Sequence, residues 1–295
     1  MGTKRIWALL VLVALACGGD GGEDRSDGRF SVVTTIGMIA DMAEAVGGDR
    51  IAVTGLMGPG VDPHLYKASA GDVRRLAGAD LILYNGIHLE AAMAEVLEEM
   101  DGRVRTVAVA GAIPESRLID SPLFQGSFDP HVWFDVALWS ETVAAVEEAL
   151  TELDPAGADT YRDNAASLRD SLAALDAWVR ERVSVLTPDQ RVLVTAHDAF
   201  GYFGRAYGFE VVGLQGISTA AEAGTADVQR IIDLIVDRRI PAVFVETSVP
   251  RRTIEAVQAG ARSRGFDVAI GGSLFSDAMG DAGTPEGTYA GMVRH

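Results

Sequence analysis

Histidine is scarce in this chain, five among 295 residues, yet two of the five close the same tripeptide, Asp62-Pro63-His64 and Asp129-Pro130-His131. A third, His197, lies in Thr195-Ala196-His197-Asp198. Neutral imidazole is the commonest protein ligand for transition metals, so three imidazoles in polar, turn-rich settings point to a metal site. Proline explains the tripeptide. It fixes its own φ and pushes the preceding Asp into extended backbone, which holds the following His on a turn with little freedom. Asp62 and Asp129 could each cap a following helix or orient an imidazole as an acceptor. Trp133 and Phe134, beside His131, would help exclude water. Taken singly, each Asp-Pro-His also reads as an ordinary helix-start turn; two copies together with His197 and Asp277 favour a site.

The remaining candidates are weaker. Asp198 is a possible partner for the His197 ring. Glu246 ends an apolar strand, where it could line a cleft or cap the next helix. His88 reads as a surface residue at a helix start, His295 as an exposed last residue, and Phe200, Phe203 and Tyr207 as a core stripe.

Positioning these residues requires strands and helices in alternation. Strands are predicted at Phe30–Thr35, Arg50–Gly55, Leu81–Asn85, Arg105–Ala108, Arg191–Thr195, Phe209–Leu214, Ala242–Glu246 and Phe266–Ile270. Helical patterns fall at Met38–Val46, Ser69–Leu76, Leu89–Met100, Leu138–Leu150, Ala199–Tyr207, Thr225–Arg238 and Arg251–Arg264. Such alternation implies parallel sheets with helices on their faces. Between the two four-strand groups, Tyr161, Ala165, Leu168, Leu172, Leu175, Trp178 and Val179 keep one helical stripe from Pro155 to about Leu186. Asp154 is its expected N-cap and Pro155 its first residue. A helix of about thirty residues is roughly 45 Å long, enough to join two lobes.

The expected fold is therefore α/β: two lobes, each with a four-stranded mainly parallel sheet flanked by helices, joined by one long rigid helix. Residues 30–153 form the first lobe, 154–187 the connector and 188–295 the second. Ligands bind beyond the carboxyl ends of strands in open α/β sheets. His64 and His131 occupy such places in the first lobe, and His197 and Asp277 in the second, so all four face a cleft.

Charge and the N-terminus bound the setting. A net charge of −17 argues against nucleic-acid binding, which needs a basic face. Lys4 and Arg5 precede the apolar run Ile6 to Ala16, too short to span a bilayer as a helix. Ala14-Leu15-Ala16-Cys17 resembles a lipobox, making 1–17 a lipoprotein signal peptide with Cys17 as the lipidation site. Cys17 is the only cysteine, so no internal disulfide is available. The glycine-rich stretch 18–29 reads as a flexible tether. An exported protein, lipid-anchored to the cell membrane or periplasmic, is expected.

Five segments carry a resemblance: Gly58-Pro59-Gly60-Val61-Asp62-Pro63-His64, Asp129-Pro130-His131-Val132-Trp133, Thr195-Ala196-His197-Asp198-Ala199-Phe200-Gly201-Tyr202-Phe203, Glu246-Thr247-Ser248-Val249-Pro250 and Leu274-Phe275-Ser276-Asp277-Ala278-Met279-Gly280. From about Ser31 to its end the chain resembles the metal-binding solute-binding proteins of ABC importers, the TroA-like zinc and manganese receptors. The resemblance implies His64, His131, His197 and Asp277 as metal ligands, and a monomer that delivers Zn²⁺ or Mn²⁺ to a membrane permease with its cytoplasmic ATPase. It also implies that the long helix limits hinge motion. Two departures stand out. The family usually continues through a C-terminal helix after Gly287-Thr288-Tyr289-Ala290-Gly291-Met292, so either truncation at His295 or loss of that helix is expected. The segment 115–128 contains no His, unlike the His- and acid-rich loop of zinc-committed relatives.

Three nitrogens and a carboxylate suit tetrahedral Zn²⁺, and intrinsic affinity favours zinc over manganese. The alternatives are a zinc-dependent hydrolase, which needs an open metal position, or a receptor for a small organic solute or metal chelate. No HExxH-type helix or clear general base accompanies the set.

Overall fold

The computed structural model describes residues 28–121 and 127–295; Cys17, the leader and most of the tether lie outside them. In the first half, β1 (Phe30–Thr34), β2 (Ile51–Gly55), β3 (Leu81–Tyr84) and β4 (Arg105–Ala108) form one parallel sheet in the order β2-β1-β3-β4. Val32, Val33, Leu81, Ile82 and Leu83 are buried in continuous runs, as expected of parallel strands covered on both faces. The covering helices are α1 (Gly37–Gly47), α2 (Ala70–Ala77), α3 (Ala94–Asp101) and α4 (Val136–Leu153). Ser69 and Asp72 close a reciprocal capping box at α2, and the Asp135 side chain accepts from Leu138 N at the start of α4.

The long helix is α5 (Ala158–Ser184), 27 residues or roughly 40 Å. Tyr161, Ala165, Leu172, Leu175 and Val179 form its buried stripe. Asp154 does not cap it. Its Oδ2 accepts from Arg50 Nε at 2.6 Å and from Tyr161 OH at 2.8 Å, and a short 3₁₀ turn at Pro155–Gly157 opens the helix instead.

The second half contains β5 (Val192–His197), α6 (Gly201–Tyr207), β6 (Glu210–Gln215), α7 (Thr225–Arg238), β7 (Ala242–Glu246), α8 (Arg252–Ser263) and β8 (Ala269–Leu274). Its four strands pair as two parallel two-stranded sheets, β5-β6 and β7-β8, rather than as the expected single sheet of four. At the site end of β5, the His197 N–H donates to the Glu246 side chain on β7 instead of to a strand carbonyl. β8 lies three to four residues later than predicted. Phe266 N closes the turn after α8 on Ala261 O, and the turn-like Gly271 sits inside the strand, where a Cβ would meet the Phe244 ring at 2.8 Å.

Two buried apolar clusters result. The larger draws on the first half and α5, and also takes in Phe200 just before α6, Tyr202 and Tyr207 of α6, plus Tyr289 and Met292 of α9 (Tyr289–Arg294). The smaller consists of β5–β8, α7 and α8 residues such as Val194, Ile231, Val243 and Val257. By packing, α6 and α9 therefore side with the first half. The last residues form the short helix α9.

Candidate metal centre

Each candidate ligand stands beyond the carboxyl end of a strand: His64 between β2 and α2, His131 between β4 and α4, His197 as the last residue of β5, and Asp277 after β8. The turn that carries His64 needs Gly60 at φ 71, a left-handed conformation that glycine adopts without strain. In both Asp-Pro-His copies the Asp accepts from the His backbone N–H two residues on, at 2.9 Å. This side-chain turn, mimicking a backbone turn, is what fixes each imidazole's starting point.

The four side chains converge. His64 Nε2 and His131 Nε2 are 3.2 Å apart, His131 Nε2 lies 3.3 Å from Asp277 Oδ1, and His197 Nε2 lies 3.2 Å from Asp277 Oδ2. His64 Nε2 is 3.9 Å from Asp277 Oδ2. Donors on a tetrahedral Zn²⁺ at its usual bond lengths stand roughly 3.3–3.4 Å apart, so the set needs little adjustment to close on an ion. His131, His197 and Asp277 are essentially inaccessible to solvent, and His64 is buried. His197 Nε2 and both Asp277 oxygens have no aligned hydrogen-bond partner in that interior. Buried, unpaired and convergent donor atoms are costly unless something positive binds among them.

Partners outside the cluster aim the rings. Asp129 Oδ1 is 2.7 Å from His131 Nδ1, and Glu246 Oε2 is 2.5 Å from His197 Nδ1, leaving each Nε2 to face the centre. Trp133 packs edge-on to His131 at 5.3 Å and donates from Nε1 to Ser276 O, which positions the neighbour of Asp277. Burial alone would lower His131, but Asp129 and Asp277 raise it to about 9. Burial likewise opposes His197, yet Asp277 and Glu246 hold it well above the usual imidazole range. His64 has no such carboxylate on its far side; burial takes it down to about 3 despite Asp277. Asp277, which burial would raise, is pulled well below the carboxylate range by His197 and His131.

The sequence of this chain matches the family described as zinc-uptake complex component A, periplasmic, over residues 32–295. The chain belongs to that family. It is 51% identical to the zinc-binding protein TroA of Treponema pallidum (strain Nichols), covering 99% of this chain and 96% of the relative. It is 49% identical to the manganese-binding lipoprotein MntA of Bacillus subtilis (strain 168), covering 95% and 91%. The solved structure of the periplasmic zinc binding protein TroA from Treponema pallidum superposes with a TM-score of 0.89 at 53% identity, over 91% of this chain and 96% of that one. The α/β layout described above is thus shared with that solved structure.

Among the expected supporting residues, Asp129 and Glu246 stand against the imidazoles, but Asp62 and Asp198 do not. Asp62 holds the His64 backbone and accepts from Thr219 Oγ1 at 2.6 Å, so both its oxygens are engaged away from the ring. Asp198 points from the strand end into a separate cavity with Gln215, Asp227 and Arg230, because Glu246 already occupies the Nδ1 side of His197. His88 is exposed and His295 bonds Ser273 O, both away from the cluster. Tyr202 escaped the sequence reading: its OH donates to Asp129 O and accepts from Ile119 N, tying α6 to the second Asp-Pro-His. Its place in the aromatic run on α6 was the available signal.

Proposed function

We propose that this chain is the extracytoplasmic substrate-binding component of an ABC importer, capturing Zn²⁺ or Mn²⁺ between its halves for delivery to a permease with a cytoplasmic ATPase. His64, His131, His197 and Asp277 would be the ligands. The observation that carries this reading is the buried convergence of three imidazoles and one carboxylate, in which His197 Nε2 and both Asp277 oxygens have no aligned hydrogen-bond partner. The names of the relatives support both ions. The donor set favours the tighter binding of zinc, while the two Asp277 oxygens, one facing His131 and one His197, would allow the higher coordination manganese prefers.

Carriage rather than hydrolysis is supported by the donor count. Four protein ligands fill a tetrahedron, whereas catalytic zinc keeps a position for water. The same closure leaves no ligand position for an organic chelate. The lobe limits 30–153, 154–187 and 188–295, the lipid anchor at Cys17, and a monomeric state complete the proposal. Titration calorimetry of metal-stripped protein tests it: one ion per chain, at micromolar affinity or tighter, is expected for Zn²⁺ and for Mn²⁺. Absence of binding for both ions overturns it.

A further inference from the structure

One hydrogen bond crosses the mouth of the site. Thr219 lies in the loop 216–224 between β6 and α7, in the second half, and its hydroxyl donates to Asp62 Oδ2 at 2.6 Å. The other Asp62 oxygen accepts the backbone N–H of His64. One carboxylate therefore grips a candidate ligand's backbone with one oxygen and the opposite wall of the cleft with the other.

The loop is otherwise anchored only to its own half. At its start Gly216 O accepts from Asp198 N, and at its end Gly224 N donates to the Asp227 side chain. Among the described residues, Thr219 supplies its one hydrogen bond to the first half. The same loop roofs a cavity of about 550 Å³ whose lining includes His64, Pro130, Ile217 and Ala220. Of the four convergent side chains, His64 alone lines that cavity.

We propose that Thr219 is a positioning residue for metal retention: its bond to Asp62 latches the 216–224 loop over the site and steadies His64, and so sets the rate at which the ion escapes. This rests on the metal-receptor reading above. A neutral hydroxyl donating to a half-buried carboxylate is worth more than an ordinary hydrogen bond. Affinity changes within one site fall mainly on dissociation.

The test compares wild type, Thr219→Val and Thr219→Ser, each loaded with Zn²⁺ and challenged with excess chelator in stopped flow. Thr219→Val keeps shape and removes the donor, and Thr219→Ser restores it. We expect Thr219→Val to release Zn²⁺ about tenfold faster, with association within about twofold of wild type, and Thr219→Ser to return release towards wild type. Melting of the three metal-free proteins, expected within a few degrees of one another, separates a latch from a folding defect. Unchanged release from Thr219→Val overturns the latch while leaving the metal site standing. Equal acceleration in Thr219→Ser and Thr219→Val overturns it too. A wild-type protein that binds no Zn²⁺ overturns the metal-receptor reading itself.

Discussion

At the residue scale, the protons held by the metal-free site set its pH response. Metal requires neutral imidazoles, yet His131 rises to about 9 and His197 well above its ordinary range when no ion is present. His131 is therefore protonated near neutrality and His197 is held towards its protonated form, so an incoming ion must displace protons. Because these pKa values are raised in the free protein, affinity should climb with pH through 7 and flatten only above about 9, rather than near 6.5 as for unperturbed histidine. Chelator competition between pH 5.5 and 9.5 checks this, and calorimetry in buffers of different ionisation heat counts the protons; a flat profile from pH 5 to 7 contradicts it. The orienting carboxylates give a second expectation. Asp129→Asn and Glu246→Gln should each weaken binding about 10- to 100-fold, whereas Asp198→Asn, whose carboxylate faces another cavity, should change it about twofold at most. Equal losses at all three would remove the distinction drawn from ring contacts.

At the element scale, four strand ends place the ligands. Their legibility differed for physical reasons. The first four strands are short runs rich in aliphatic and β-branched residues, and the Asp-Pro-His copies announce rigid turns, so their places are readable. β8 was misplaced because Gly271 reads as a turn residue, although its missing Cβ is what lets the strand pass the Phe244 ring. The four strands of the second half are legible but their pairing is not, because periodicity reveals strands and not which neighbours they bond. Asp62 and Thr219 are 157 residues apart and form a tertiary contact with no local pattern. Two substitutions probe these elements. Gly271→Ala should destabilise the fold by about 1–3 kcal/mol through overpacking. Leu172→Ala on α5, whose side chain is buried in the larger core, should cost about 2–5 kcal/mol. Urea denaturation of the metal-free proteins measures both. Zinc affinity measured below the unfolding range should stay near wild type for Leu172→Ala, since α5 supplies none of the four convergent side chains.

At the scale of the whole molecule, two apolar cores of unequal size are tied together at the cleft by few polar contacts, chiefly Asp62–Thr219 and Trp133–Ser276. An ion held by His64 and His131 on one side and His197 and Asp277 on the other adds a bond between the cores that the unfolded chain cannot offer. Binding to the folded state alone stabilises by mass action, about 4 kcal/mol when free ion is a thousandfold above its dissociation constant. The smaller core should gain most, because on its own it is the less extensive of the two. Metal-free protein should accordingly exchange amide hydrogens faster in β5–β8, α7 and α8 than in the first half, and Zn²⁺ should slow that exchange and raise the melting temperature. Asp277→Ala should abolish both effects, since it removes the one side chain that lies within 4 Å of all three imidazole Nε2 atoms. Protection gained only around His64 and His131, with the second half unmoved by Zn²⁺, would mean that the ion is held by one half and does not bridge the cleft.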